Sequence, residues 1–376
     1  MTFSDLKLSK PLLHALTQKG YSTPTPIQQQ AIPKILEGKD LFGCAQTGTG
    51  KTAAFALPIL QLLAQSPTNN RRNIRALILA PTRELALQIH ENIVEYARHL
   101  PVRYGVVYGG VSQNAQVQQL KKGIDLLVAT PGRLLDLQQQ GFLSLQQVEF
   151  FVLDEADKML DMGFIRDIRK VIASLPAQRQ SLFFSATTTN EIKNLAATIL
   201  YKPESIAVTP VSSTTELIKQ FLYYVPRENK RGLLEYVLKN GNVTQALVFT
   251  RTKRGADKVA RTLSAQGWRA ESIHGNKSQG ARVRALDGFK KKNIDVLVAT
   301  DIAARGIDVE NLSHVINYEL PEVAETYVHR IGRTGRAGAN GIALSFCTED
   351  ETDYLKGIHQ LTKIPMEVIA RHPFSF

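Results

Sequence analysis

Cysteine is almost missing from this chain: Cys44 and Cys347 are the only two among 376 residues. So sparse a pair excludes a disulfide framework and fits a reducing cytoplasm. No apolar run is long enough to span a bilayer, and the opening Met1-Thr2-Phe3-Ser4-Asp5-Leu6-Lys7 carries no apolar signal core. The expectation is a cytoplasmic, soluble protein with no membrane partner. Acidic residues are in deficit, 34 Asp and Glu against 46 Lys and Arg, for a net charge of +12. That surplus favours a polyanion such as nucleic acid, although lysine in excess also serves solubility. It is spread evenly: residues 1–207 hold 22 basic and 16 acidic side chains, and the remainder 24 and 18, so each part is +6. Neither part is a basic tail on a neutral enzyme.

What is present begins with a faint repeat. Ile124-Asp125-Leu126-Leu127-Val128-Ala129-Thr130 returns as Ile294-Asp295-Val296-Leu297-Val298-Ala299-Thr300, an offset of 294 − 124 = 170. Ala76-Leu77-Ile78-Leu79-Ala80-Pro81-Thr82-Arg83 returns as Ala246-Leu247-Val248-Phe249-Thr250-Arg251-Thr252-Lys253, and 246 − 76 is again 170. Each copy is a short continuous apolar run followed by a polar loop and a helical pattern, the mark of a strand buried on both faces of a parallel sheet. Further runs at 150–153, 181–184 and 314–318 extend the pattern. Two doubly wound α/β domains follow, with ligands expected at the carboxyl ends of the strands. The small, polar stretch from Val208 to Thr215, with Pro210 inside it, reads as the connector. The domains are therefore placed at 1–207 and 217–376, with a linker at 208–216.

Ala45-Gln46-Thr47-Gly48-Thr49-Gly50-Lys51-Thr52 lies between an apolar stretch at Leu41-Phe42 and helix formers from Ala53 to Ala64. Strand, glycine turn and helix start make a polyphosphate cradle, with Lys51 on the β- and γ-phosphates and the Thr52 hydroxyl on Mg²⁺. Ala45 stands where a glycine is usual. Adding 170 lands near Gln220, where there is no glycine turn, so only the first copy holds a phosphate site.

Asp154-Glu155-Ala156-Asp157 follows the run at 150–153. Asp154 is placed to hold Mg²⁺ and Glu155 to deprotonate water, although an acidic helix start would look the same. Thr25-Pro26-Ile27-Gln28 is a capping box, and the Gln28 amide also matches the adenine edge. His329-Arg330-Ile331-Gly332-Arg333-Thr334-Gly335-Arg336 could line one edge of a helical turn and carry arginine fingers, or form a solvated patch for nucleic acid. Local residues leave both pairs of alternatives open.

Taken in order, these motifs resemble those of the DEAD-box RNA helicases of superfamily 2, over nearly the whole chain, and among bacterial branches the RhlE-like group. The resemblance implies two tandem RecA-like domains, each a mostly parallel sheet with helices on both faces. It implies ATP and Mg²⁺ as cofactors, Phe3 stacking on adenine, Gln28 reading its edge and Asp308 touching the ribose. Ala45 is typical of that family's phosphate loop. Ser185-Ala186-Thr187 would link hydrolysis to strand separation, with His329 and Arg330 coupling alongside the fingers Arg333 and Arg336. RNA, single-stranded or duplex, would meet Pro81, Thr82, Arg83, Gly109, Gly110, Thr130, Pro131, Gly132 and Arg133 of the first domain. From the second come Gln279, Arg282, Thr300 and Arg305. Most of these flank strand-to-helix turns suited to phosphates, which predicts little sequence preference. The reading is an ATP-dependent RNA helicase. The alternatives are an ATP-gated RNA clamp or assembly platform and a DNA helicase or translocase; a small-molecule kinase comes last.

Overall fold

A computed structural model describes residues 1–45, 48–66, 73–208, 218–241, 243–304, 312–334 and 341–375. They form two compact units, Met1–Pro210 and Val211–Phe376. Gln46, Thr47, Arg305, Asp308, Arg336 and all of the expected linker beyond Val208 lie outside the described residues.

The first unit opens with α1 (Lys10–Gln18), α2 (Pro26–Leu36), β1 (Leu41–Cys44), α3 (Lys51–Gln65), β2 (Ala76–Leu79) and α4 (Arg83–Tyr96). It continues with β3 (Tyr104–Val107), α5 (Asn114–Lys121), β4 (Leu126–Ala129), α6 (Pro131–Gln139) and β5 (Phe150–Leu153). It closes with α7 (Ala156–Asp161), α8 (Ile165–Ala173), β6 (Gln180–Ser185), α9 (Asn190–Ala197) and β7 (Glu204–Ala207). The second unit begins with β8 (Ile218–Tyr224), α10 (Lys230–Asn240), β9 (Ala246–Thr250), α11 (Lys253–Ala265) and β10 (Ala270–Ile273). Then come α12 (Gln279–Lys290), β11 (Val296–Thr300), α13 (Asp301–Ala304), β12 (His314–Asn317) and α14 (Ala324–Ile331). Last are β13 (Gly341–Cys347), α15 (Thr352–Thr362) and β14 (Glu367–Val368).

Each unit holds a seven-stranded sheet, ordered β3-β4-β2-β5-β6-β1-β7 and β10-β11-β9-β12-β13-β8-β14. Adding seven to every strand of the first order gives the second, so one topology is used twice. The repeat in the sequence is the same strand pair in both sheets: Ala76 aligns with Leu126, and Ala246 with Val296, in parallel. Because side chains alternate across a strand, Ile78 and Val128 face one core and Leu77 and Leu127 the other. Val248 and Leu247 divide in the same way in the second unit. Helices cover both faces, which is why these strands read as continuous apolar runs. Leu77 and Leu247 are fully buried, and cutting either back to Ala would cost about 2–5 kcal/mol.

Candidate functional site

Neighbouring strands β5, β6 and β1 bring three loops together at the carboxyl edge of the first sheet. After β1, the Ala45 N–H donates to the Ser185 carbonyl at 3.0 Å. Gly50 has φ +90°, and a Cβ there would run into the Gln28 amide, so glycine is required for both backbone and space. α3 starts at Lys51, two residues before the expected run of helix formers, and continues through Pro58. Its first N–H groups have no partner within the helix, and the positive end of its dipole faces the turn. Lys51 is buried and donates from Nζ to the Ala45 carbonyl at 2.7 Å, which holds the ammonium inside the turn.

Gln28 ties α2 to that turn. Its Oε1 accepts the Thr25 N–H at 2.9 Å and its Nε2 donates to the Gly50 carbonyl at 3.1 Å. The expected capping box joins Thr25 to Gln28 at the start of α2. A primary amide has two donors and two acceptor lone pairs, so capacity for an adenine edge remains. Phe3 belongs to the core cluster of the first unit, with its ring stacked on Tyr21 at 6.4 Å between centroids.

Beyond β5, the Asp154 N–H donates to the Leu79 carbonyl at 3.0 Å, and Asp154 Oδ1 accepts the Glu155 N–H at 3.0 Å. Glu155 takes a left-handed φ of +52° as it caps α7, a strained geometry for a residue with a side chain. Helix start and functional turn are one structure here. Burial pushes the Asp154 carboxyl up to about 6, with Lys51 and Lys158 opposing the shift and Glu155 adding to it. Two contacts at this edge had no signal in the motif order. The buried Lys158 ammonium donates to Glu155 Oε1 at 2.7 Å. Asp157 Oδ2 accepts the Ala186 N–H at 3.2 Å, joining this turn to Ser185-Ala186-Thr187 after β6, while its buried Oδ1 has no hydrogen-bond partner among the described residues.

In the second unit, Arg330 is 2% exposed and bonded all round. It grips Asp301 twice, donates to Asn317 Oδ1 at 3.1 Å and to the Glu319 carbonyl at 2.7 Å, and lies 4.9 Å from the Phe249 ring centroid. Arg333 is also buried, but it lies beyond α14, which ends at Ile331. Gly332 caps the helix, Arg330 serves the interior of its own unit, and the backbone turns on past Arg333, whose N–H donates to the Arg330 carbonyl at 3.2 Å.

Family models match both units: the DEAD/DEAH box helicase model over residues 25–195 and the helicase conserved C-terminal domain model over 229–338. The ATP-dependent RNA helicase CshA of Limosilactobacillus reuteri is 43% identical over 366 residues, spanning 97% of this chain and 73% of that protein. The DEAD-box ATP-dependent RNA helicase CshA of Streptococcus pneumoniae is 45% identical over 367 residues, spanning 98% and 69%. The chain belongs to the DEAD-box ATP-dependent RNA helicases. It is thus an ATP-hydrolysing enzyme that acts on RNA. In structure the helicase is similar to Dbp5 of S. cerevisiae bound to RNA and ADP BeF3, with a TM-score of 0.86, 31% identity and coverage of 98% of this chain and 95% of that one. The expectation of an RhlE-like branch finds no support, since these relatives are CshA helicases, a different branch.

Elsewhere on the helicase's first sheet, the loops after β3, β4 and β2 lie side by side. Thr82 caps α4, its hydroxyl accepting the Leu85 N–H at 3.3 Å. Arg83 reaches the Gly109-Gly110 turn, where a Cβ on Gly110 would run into its guanidinium. Thr130 precedes α6, Pro131 begins it, and Gly132 is open to solvent on its Cβ side. Arg133 Nη2 donates to the Val111 carbonyl at 3.1 Å, which ties this loop to the glycine turn. In the second unit Gln279 and Arg282 open α12 behind the Ser278 cap, and the buried Thr300 ends β11.

Proposed function

We propose that ATP is bound and cleaved at the edge formed by Lys51, Thr52, Asp154 and Glu155, and that Arg333 and Arg336 complete the site when the two units close. The observation that carries this reading is the meeting of the three loops after β1, β5 and β6. Lys51 would neutralise the β- and γ-phosphates, with Gln46, Thr47, Gly48 and Thr49 lending backbone N–H groups. Glu155 would take a proton from the attacking water. Among the described residues no group of three or more His, Cys, Asp or Glu is placed to hold a metal alone. Thr52 and Asp154 suit Mg²⁺, which protein sites hold through one or two side chains plus substrate phosphates; when bound, it supplies charge neutralisation. Gln28 reads adenine with its remaining capacity, Phe3 stacks on it, and Asp308 meets the ribose.

Ser185-Ala186-Thr187, tied to the carboxylate turn through Asp157, carries the state of the nucleotide toward the RNA loops, with His329 and Arg330 answering from the second unit. Pro81 to Arg83, Gly109-Gly110 and Thr130 to Arg133 grip phosphate and sugar, joined by Gln279, Arg282, Thr300 and Arg305. Contacts of that kind carry little sequence preference. Closure bends one strand out of the duplex, and hydrolysis releases it. Two free cysteines, and the lack among the described residues of any helix long and apolar enough to cross a membrane, support a cytoplasmic location.

Arg336→Ala tests the split site. ATP binding should persist while RNA-stimulated hydrolysis falls by about 10³-fold or more; full hydrolysis would remove the finger assignment. Equal use of GTP and ATP would remove Gln28 as the base reader.

A further inference from the structure

The shared topology gives the first unit's ATP edge a counterpart in the second. Strands β8, β12 and β13 stand where β1, β5 and β6 stand. Lys230 is the first residue of α10, as Lys51 is of α3. Its buried ammonium donates to the Tyr318 and Phe346 carbonyls, at 2.9 and 3.2 Å, and to Glu351 Oε2 at 2.6 Å. A carboxylate of the chain itself therefore neutralises this ammonium. Glu319, just beyond β12, stands where Asp154 and Glu155 follow β5.

A cavity of about 450 Å³ opens here, between α10 and α11, above that neutralised floor. Small-ligand sites span roughly 300–1,000 Å³ and favour the carboxyl ends of strands in such sheets. One side is apolar and partly aromatic, formed by Leu234, Val259, Leu263 and Tyr318. Three exposed cations also line it, Arg227, Arg231 and Lys258. None of the three has a hydrogen-bond or ion-pair partner among the described residues. Arg251, by contrast, is engaged by Glu351 at 3.3 Å and stacked over Tyr354. An apolar wall with an aromatic ring accepts a flat base, and unpaired cations at the opening accept one anionic group.

We propose that this cavity binds a nucleoside monophosphate, with its base against Tyr318 and Leu263 and its phosphate among Arg227, Arg231 and Lys258. The two sources of that chemistry are a free nucleotide and the phosphorylated end of an RNA strand. The site shares no residue with the ATP edge; the comparison with that edge rests on the proposed function, whereas the cavity and its lining do not.

The test is photolabelling of the full chain with 8-azido-AMP, with ADP and Mg²⁺ added in excess to cover the first unit, followed by mapping of the labelled peptides. Label is expected on peptides from 251–263 or around Tyr318, and unmodified AMP should compete for it. In Arg231→Glu/Lys258→Glu that label should fall at least about tenfold, while ATP turnover in the absence of RNA stays unchanged. Both residues are exposed, so folding is not at stake. An RNA carrying a 5′-phosphorylated 8-azidoadenosine forms the second arm. Label from this RNA alone assigns the site to strand ends, and label from 8-azido-AMP assigns it to free nucleotide. No second-unit label from either probe, or equal label in the charge-reversed variant, overturns the proposal.

Discussion

Arg330 holds Asp301 in a two-pronged grip, Nε to Oδ1 at 2.6 Å and Nη2 to Oδ2 at 2.8 Å. The pair ties α14 to the residue after β11, so two motifs of the second unit share one buried charge. A planar fork is required, since an ammonium cannot make both parallel bonds. Arg330→Lys should therefore lower the stability of the second unit, and Arg330→Ala should lower it by about 3–5 kcal/mol, because Asp301, Asn317 and the Glu319 carbonyl lose their common donor. Denaturant unfolding followed at Trp268, the single tryptophan and a second-unit residue, measures this directly. ATP affinity should stay unchanged; a loss of it would mean that Arg330 acts on the nucleotide.

Lys158 and Glu155 are both 3% exposed at the side chain. Removing one member of such a pair takes a close counter-charge from the other while it stays buried. Lys158→Met should lower kcat for RNA-stimulated ATP hydrolysis by roughly tenfold or more, about 1.4 kcal/mol of barrier, with a smaller change in the KM for ATP. Lys158→Arg should restore most of the rate. Steady-state ATPase assays at saturating RNA decide the matter, and an unchanged kcat in Lys158→Met would reduce the pair to scaffolding.

How far the sequence revealed these relationships depended on the kind of signal. The repeat at 76 and 246 disclosed the doubled sheet because buried parallel strands leave continuous apolar runs. The counterpart of Lys51 escaped the same arithmetic: adding 170 points to Phe221, inside β8, whereas Lys230 lies at 230 − 51 = 179. Strands conserve spacing within a sheet, but the turns between strand and helix do not. Lys158 and Asp157 were hidden for another reason. Their roles come from the left-handed turn at Glu155, which no pattern of residue types displays. Arg330 has the spacing of one of a row of arginines, and its grip on Asp301 inside the unit is a long-range contact that spacing does not display.

Asp257 gives a pH dependence with a defined sign. Burial raises its carboxyl, but bonds from Ser272, His274 and Lys277 outweigh that and hold it well below the usual carboxylate range. The contacts are 2.7 Å to Ser272 Oγ, 3.0 Å to His274 Nε2 and 2.9 Å to Lys277 Nζ. A carboxyl depressed by folding adds stability above its unfolded value, near 4, and loses it as pH falls toward the folded one. The second unit should accordingly weaken from about pH 5 downward, with this group contributing about 1 kcal/mol after solvent screening. Asp257→Asn should be less stable at pH 7 and should show a flatter acid limb in urea midpoints measured between pH 7 and 3. An acid limb parallel to that of the unaltered protein would assign the loss to other carboxylates.

Gly110 and Arg83 supply the sharpest test of the proposed RNA contacts. Gly110 has φ +79°, and a Cβ placed there would collide with the Arg83 guanidinium. Gly110→Ala therefore does two things: it strains the turn by about 1–2 kcal/mol, and it drives Arg83 from its place. Gly141 separates the two effects. It has φ +75° with nothing within 4 Å of a Cβ, so Gly141→Ala pays the same strain and moves no cation. Both variants should fold and bind ATP with unchanged affinity. The RNA concentration giving half-maximal ATPase stimulation should rise several-fold for Gly110→Ala, in line with the loss of one charge-assisted phosphate contact, and should hold steady for Gly141→Ala. A sequence-independent rise would mark Arg83 as a phosphate contact, and an equal rise in both variants would trace the effect to general loosening of the first unit.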